Sequence, residues 1–296
     1  MKRMGGWLSG LFLFAVACAA EGSSSDTTAE PSDNPSLETS ANSGVRGGTD
    51  EVREIEAALH GFPAMFDLQG KKLADGEFTQ WLQNDLLHVT IAYDLGAAHR
   101  IVEKTTLRQK PRLIQEEWSW KESQSGKLLR HFELDFKSET IIAEKCIESK
   151  TSKWVESVKI EPGRTFAGFG FVLVLKNVRD RLVAGEKVEF KAVGFTPKPR
   201  VVSVELSYGG LERMDMAGRT VTGDRFVIHP KVPAIAKAFV EVKDINIWLT
   251  TPRPAGFLRW EGPLIEAGDS VARVDLLPGN HSGPALPVRA NTRKSN

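Results

Sequence analysis

Apolar side chains recur at every second position in many segments of this 296-residue chain, and this alternation restricts its fold more than any other feature. Residues 87–93, 128–136 and 202–208 each place apolar side chains on one face and mostly polar ones on the other. One-sided alternation is typical of antiparallel strands with one buried and one solvated face. Further strand-like segments are 76–82, 99–107, 112–121, 139–147, 154–160, 186–194, 219–229, 244–250, 256–260 and 270–277. The chain is therefore predicted to be mostly β.

The connections between these segments are short, and several contain glycine, as at Ser125-Gly126 and Gly223-Asp224. Short connections make consecutive strands hairpin neighbours. About a dozen strands in one meander accumulate too much twist to stay flat, so the sheet must curl or split. We predict a long curved antiparallel sheet, either a half-barrel or a split sheet.

One segment breaks the alternation. Residues 166–178, FAGFGFVLVLKNV, are apolar nearly all round, and Thr165 precedes them where it would cap a helix. Gly168, Gly170 and the run 172–175 favour a strand instead. We predict one buried helix on the concave side of the sheet, because a helix without a polar face must be covered on most sides. The strand stays open as the alternative.

The first 18 residues indicate where the chain goes. Lys2 and Arg3 precede an uncharged run at 7–17, which ends in small residues before Cys18. These are the parts of an export signal, and the run is much shorter than the roughly 20 residues that a membrane-spanning helix needs. Residues 1–17 therefore resemble a bacterial lipoprotein signal peptide, in which Cys18 receives palmitate-like acyl chains and becomes the mature N-terminus.

Two alternatives to acylation stay open: an ordinary secretory signal cut after Ala17, Ala19 or Ala20, and an uncleaved anchor. The lipoprotein motif usually has Leu where this chain has Ala15. Stable membrane attachment takes two lipid signals, which a diacylglyceryl cysteine would supply. Ala19 stands where an Asp holds many lipoproteins at the inner membrane, so we expect the outer membrane, facing the periplasm.

Composition divides the rest of the chain. Residues 18–50 hold the acylated cysteine and a polar, flexible linker, 51–278 a β-rich domain, and 279–296 a disordered tail. At the start of the domain, residues 51–60 have helical spacing and Gly61 follows them, which predicts a short helix.

Charge and motifs exclude several functional classes. The 39 basic and 38 acidic residues are interspersed and give a net charge of +1, so nucleic-acid binding has little electrostatic support. With Cys18 acylated, Cys146 has no disulfide partner, and its strand-like context predicts a buried, inert thiol. No catalytic motif is present, and none of the histidines lies two to four residues from another. We predict no enzyme activity, no cofactor and no metal site.

The aromatic residues are the strongest candidates for a binding role. Trp118 and Trp120 are two residues apart and share a strand face. Core packing explains most of the large aromatic residues, but an aromatic strip on the concave face would also suit an apolar ligand. The residues predicted to line such a site are Trp118, Trp120, Phe132 and Phe169.

The stretches 247–252, IWLTTP, and 257–263, FLRWEGP, resemble the closing segment of a group of uncharacterised bacterial envelope lipoproteins. The resemblance implies a long curved antiparallel sheet, broadly similar to the Lol-type lipoprotein carriers, with 166–178 as the helix packed on it. These motifs have no known chemistry and imply no functional residue. Arg259 and Glu261 within them are expected to serve structural ion pairs.

The sequence thus predicts an exported, membrane-anchored lipoprotein of the bacterial cell envelope. Its β domain is expected to be non-catalytic and to have a structural or protein-interaction role. The expected partners are the lipid bilayer, through acylated Cys18, and an envelope protein. The alternative function is the binding or carriage of a hydrophobic, lipid-like ligand.

Overall fold

The computed structural model describes residues 52–148, 150–196, 198–216, 218–231 and 243–276. The predicted signal peptide, Cys18, the linker and the tail at 279–296 lie outside these ranges. Within them the chain forms one 16-stranded sheet and one helix, α1 (Gly170–Val183). The strands are β1 (Leu59–Gly61), β2 (Ala64–Asp67), β3 (Lys72–Gln83), β4 (Leu86–Gly96), β5 (His99–Arg108), β6 (Ile114–Gln124), β7 (Lys127–Asp135), β8 (Thr140–Ile147), β9 (Lys150–Ser157), β10 (Thr165–Phe166), β11 (Val188–Thr196), β12 (Lys198–Met216), β13 (Arg219–Pro230), β14 (Ile245–Thr250), β15 (Phe257–Pro263) and β16 (Val271–Asp275).

The sheet consists of two antiparallel meanders joined side by side. Strands β2 to β9 pair in sequence order, as do β11 to β16, and β16 pairs with β2 to join them. β1 pairs with β3, and β10 pairs with β11 in parallel. The sheet is not closed, because β9 and β10 stand at opposite ends of the strand order. The prediction of a mostly β fold with a long antiparallel sheet and one helix is confirmed.

Hairpin turns with left-handed residues set the register of the first meander. The β3–β4 turn has φ of 51° at Asn84 and 62° at Asp85, and the β6–β7 turn has 49° at Ser125 and 77° at Gly126. Two central residues with positive φ are the requirement of a type I′ turn, whose twist matches that of the flanking strands. Consecutive strands therefore pair as predicted, until β9 is followed by the crossover through α1.

Helix α1 occupies the buried segment, but not with the predicted bounds. It begins at Gly170, its N-cap residue is Phe169, and no side chain caps it. The prediction that Thr165 caps the helix is wrong: its hydroxyl oxygen accepts a hydrogen bond from the Glu161 amide (3.0 Å) in the preceding turn. Gly168, with φ of +51°, separates that turn from the helix. Of the two glycines that favoured a strand, Gly168 precedes the helix and Gly170 is its first residue.

The short helix predicted over 51–60 is wrong for the described residues. Residues 52–58, here called the strap, contain no helix and lead into β1. Asn177 Oδ1 on α1 accepts hydrogen bonds from the amides of Arg53 (2.7 Å) and Glu54 (3.2 Å). Gln109 Oε1 accepts another from the Glu56 amide (2.6 Å). Side chains of distant elements thus satisfy the backbone groups that a helix would have paired internally.

The two meanders and the helix share one core. Phe195 of β11 stacks on Trp118 of β6 (centroids 5.9 Å apart) and packs on Phe132 of β7 (4.3 Å). The sheet therefore curves far enough for the inner faces of both meanders to touch. Helix residues such as Val174 and Leu175 are fully buried in the same cluster. In the described ranges no helix is long and apolar enough to cross a membrane.

Candidate functional site

The structure places the four predicted lining residues in the core. Trp118, Trp120 and Phe132 lie together, with the Trp120 and Phe132 rings 5.8 Å apart. Phe169 lies apart from them, at the start of α1, where its ring contacts those of Phe78 (5.2 Å) and Phe257 (5.8 Å). Each of the four is less than a tenth exposed. Their role in binding a ligand stays a prediction, and the contacts observed are those of a packed interior.

A buried carboxylate connects two of these residues. Glu103 Oε1 accepts hydrogen bonds from Trp118 Nε1 (2.9 Å) and from the Phe169 amide (2.7 Å). Burial raises the pKa of the Glu103 carboxyl, although these two hydrogen bonds lower it. Burial, together with the nearby Glu103 charge, also raises the pKa of Tyr93. Glu103 therefore holds the N-terminal end of α1 against β5 and β6.

A second polar side chain holds the same loop. Gln115 is buried, and its Oε1 accepts a hydrogen bond from the Ala167 amide (2.7 Å), while its Nε2 donates to the Ala167 carbonyl (3.1 Å). Nε2 also donates to Thr105 Oγ1 (2.6 Å). Buried polar groups of this kind contribute specificity only when fully paired, as they are here. Neither Glu103 nor Gln115 was predicted from the sequence.

An ionic cluster joins the two meanders. Arg130 on β7 donates from Nε to Glu122 (2.6 Å) and from Nη1 to Glu266 (3.2 Å) and Asp269 (2.8 Å), both in the loop between β15 and β16. Lys145 on β8 pairs with Glu266 as well. The Arg130 guanidinium lies 5.1 Å from the centre of the Trp120 ring. These side chains are mutually satisfied, so the cluster serves to fasten the fold.

The outer face of the sheet carries an exposed aromatic surface, here called the outer patch and defined as His60, Phe62, Trp81 and His88. His60 lies opposite Thr79 in the β1–β3 pair, and Trp81 is two residues further along the same face. The buried Phe78 and Gln80 alternate with them. The outer patch therefore points away from the core.

Ring contacts order the outer patch. The Trp81 and His88 rings stack with centroids 5.3 Å apart and planes 17° apart, and the His60 and Phe62 rings are 4.8 Å apart. Phe62 is 72% exposed and Trp81 38%. Exposed aromatic rings held in one arrangement are a common feature of binding surfaces.

Polar groups surround these rings. Thr106 Oγ1 donates to Glu117 Oε2 (3.2 Å) and lies 3.3 Å from His88 Nδ1. His60 Nε2 is 3.1 Å from Glu77 Oε1. The strand register places His60 and Thr79 between the positions of Phe62 and Trp81. The outer patch therefore consists of two aromatic pairs with polar groups between and around them, which fits a contact surface better than a catalytic cleft.

Other chemistry is sparse among the described residues. They include no group of three or more His, Cys, Asp or Glu side chains placed to hold a metal ion. A shallow surface cavity of about 400 Å³ lies between the start of β3 and the end of β4 and is lined by residues 72–75 and 94–96.

Cys146 is free but half-buried rather than buried as predicted. Arg259 forms the expected ion pair, with Asp275 across the β15–β16 pair (2.6 Å).

No family model and no curated protein matches the chain. Among solved structures, it is similar to a beta-barrel-like protein of domain of unknown function DUF1849 from Brucella abortus, with a TM-score of 0.42 and 11% identity over 75% of this chain and 96% of that one. It is also similar to the hypothetical lipoprotein YmcC from Escherichia coli (K12), with a TM-score of 0.30 and 9% identity over 74% and 84% of the two chains. The similarity to Lol-type carriers stays a prediction.

Proposed function

We propose that the chain is a lipid-anchored protein of the bacterial cell envelope whose β domain acts through surface contacts rather than catalysis. The observation that carries this proposal is the N-terminal signal, in which a basic start, a short apolar run and small residues precede Cys18. Acylated Cys18 would hold the chain in the outer membrane, and residues 18–50 would separate the lipid from the domain on its periplasmic side.

The arrangement of the domain supports surface contact over carriage of a hydrophobic ligand. A carrier needs an apolar space between sheet and helix, where Trp118, Phe132 and α1 are packed together. Opening that space would break the hydrogen bonds that Glu103 accepts from Trp118 and Phe169. The outer patch, by contrast, is exposed without any rearrangement.

The signal proposal is tested by the intact mass of the chain purified from membranes of a Gram-negative host. We expect a mature product that begins at Cys18 and carries the added mass of a diacylglyceryl group and one further acyl chain. Cys18→Ser should abolish both the added mass and membrane retention, whereas the matched control Cys146→Ser should keep both. A product that begins at another residue and carries no lipid would refute the proposal.

A further inference from the structure

We propose that the outer patch rests on the surface of the lipid bilayer to which the chain is attached, so that the domain lies against the membrane. This inference depends on the proposed lipid attachment at Cys18. The occupant is a phospholipid bilayer, and the surface that contacts it consists of Phe62 and Trp81 with the histidines beside them.

The chemistry of the exposed rings suits a membrane interface. Phe62, between β1 and β2, is the more exposed of the two large rings, and Trp81 presents one ring face while His88 covers the other. Tryptophan is favoured at the boundary between headgroups and acyl chains, because its ring is apolar and its N–H is polar. Since stacking already orders Trp81, little side-chain freedom remains to be lost on contact.

The polar surroundings of the outer patch suit a membrane interface as well. Next to the patch, the aligned residues Thr79, Thr90 and Lys104 cross β3, β4 and β5 on the same outer face. Lys104 is exposed. Hydroxyl groups and an ammonium group match the phosphates and carbonyls of a headgroup layer. The Glu77 and Glu117 carboxylates beside the patch are bound to His60 and Thr106 and offset the charge of Lys104, so the attraction comes from the rings and their polar neighbours rather than from net charge.

The place where the attached chain meets the domain is compatible with this contact. The strap begins at Val52, and the hydrogen bonds that its amides donate to Asn177 and Gln109 fix it in place. Phe62 lies ten positions after Val52, so the outer patch lies at most roughly 35 Å from the point where the linker joins the domain. This limit is comparable with the reach of the linker, so attachment through Cys18 allows the patch to meet the bilayer.

The length of the linker makes a weak contact sufficient. A polar chain of the length between Cys18 and Val52 has an expected reach of roughly 30 Å. A surface attached through such a linker meets the bilayer at an effective concentration in the millimolar range, so two exposed rings do not need to bind free vesicles tightly. Attachment to the membrane does not raise the effective concentration of a soluble protein partner or a glycan at the patch. For that reason we favour the bilayer over either of them.

The test uses the full lipidated chain in vesicles of phosphatidylethanolamine and phosphatidylglycerol, with bromine atoms on their acyl chains. Brominated lipid quenches tryptophan fluorescence only at short range. Among the described tryptophans Trp81 is the exposed one, while Trp154 and Trp260 are half-buried. We expect quenching in the unmodified chain and its loss in Trp81→Phe.

Two further variants separate contact from general loss of structure. Phe62→Ser should reduce the quenching of Trp81, whereas Val155→Ser, which replaces an exposed apolar residue on β9, should leave it unchanged. Equal quenching in the unmodified chain and Trp81→Phe, or none in either, would overturn the proposal. So would an emission change at Trp81 that requires an added glycan or envelope protein rather than lipid.

The outcomes also distinguish this inference from the one on which it rests. If intact mass shows a lipidated Cys18 but Trp81 is not quenched, the attachment is supported and the contact surface is refuted. If Cys18 is unmodified while added brominated vesicles still quench Trp81, the contact surface is supported and the lipid attachment is refuted.

Discussion

Replacing Gly168 by alanine should disrupt the junction between the core and the start of α1. Gly168 has φ of +51°, and a Cβ at this position would overlap Glu103 Oε1 and Trp118 Nε1. Those two atoms form one hydrogen bond, and Glu103 Oε1 also accepts the bond from the Phe169 amide. The methyl group must therefore displace the carboxylate, the indole or the loop.

The expected cost is large compared with the stability of a typical domain. A residue other than glycine in the left-handed region costs roughly 1–2 kcal/mol. A hydrogen bond contributes about 0.5–1.5 kcal/mol when its acceptor is neutral and about 1.5–3 kcal/mol when it is charged, so losing both bonds to Glu103 costs roughly 1–6 kcal/mol. The sum of about 2–8 kcal/mol is a large part of the 5–15 kcal/mol by which native domains are stable.

Urea denaturation of Gly168→Ala and Gly126→Ala measures this difference. Gly126 also has positive φ (+77°), but nothing lies within 4 Å of a Cβ built there, so its replacement should cost only the backbone strain. If Gly168→Ala fails to fold while Gly126→Ala folds, the cost at Gly168 exceeds backbone strain, which is the expected direction. Equal destabilisation by the two single substitutions would show that the contact with Glu103 is not the cause.

Three further changes test other parts of the fold. Burial raises the pKa of Glu103, so the folded state binds a proton there more tightly than the unfolded state. The resulting stability is complete below the ordinary carboxyl pKa and is lost as pH rises through the raised pKa. Glu103→Gln should remove this pH dependence, which is measured as the urea midpoint at a series of pH values. Asn177→Ala removes the two hydrogen bonds that hold the strap and should lower the free energy of unfolding by about 1–3 kcal/mol. Trypsin should then cleave after Arg53 faster, at a rate that mass spectrometry measures. Arg130→Met leaves three carboxylates without their shared partner and should cost about 3 kcal/mol in thermal unfolding, part of which Arg130→Lys should recover.

The strands were largely predictable because their evidence is local. Alternation and turn residues such as Ser125-Gly126 are contained within a dozen residues, and the strands lie close to the predicted segments. The strands that sequence reasoning missed, β1, β2 and β10, have three, four and two residues. A period of two cannot be recognised in so few residues.

The order of the strands was only partly predictable because it depends on distant pairing. Hairpins follow from short connections, but the β16–β2 pair joins Ala272 to Asp67, and no local pattern indicates that contact. The strap shows the same limitation. Helical spacing at 51–60 was overridden because Asn177 and Gln109, both distant in sequence, bind its backbone.

The polar residues that hold the helix left a weaker signal. Glu103 lies in β5 between Ile101 and Thr105, in phase with the buried residues rather than with the exposed ones. A charged residue at an inward position must be paired, because an isolated buried charge is too costly. Phase alone thus predicts that Glu103 has a partner, but it does not identify Trp118 or the Phe169 amide.

The tryptophans show why the sequence alone does not tell which aromatic residues are exposed. Trp81 and Trp118 each occupy an alternating strand, and a period of two tells which residues share a face without telling which face is covered. The cover is α1, which reaches the inner face through a crossover after β9. Once it lies there, Trp118 becomes a core residue that contacts Phe195, while Trp81 stays on the outer face and stacks on the ring of His88. A contact surface on this domain therefore has to be sought among residues that are out of phase with the core.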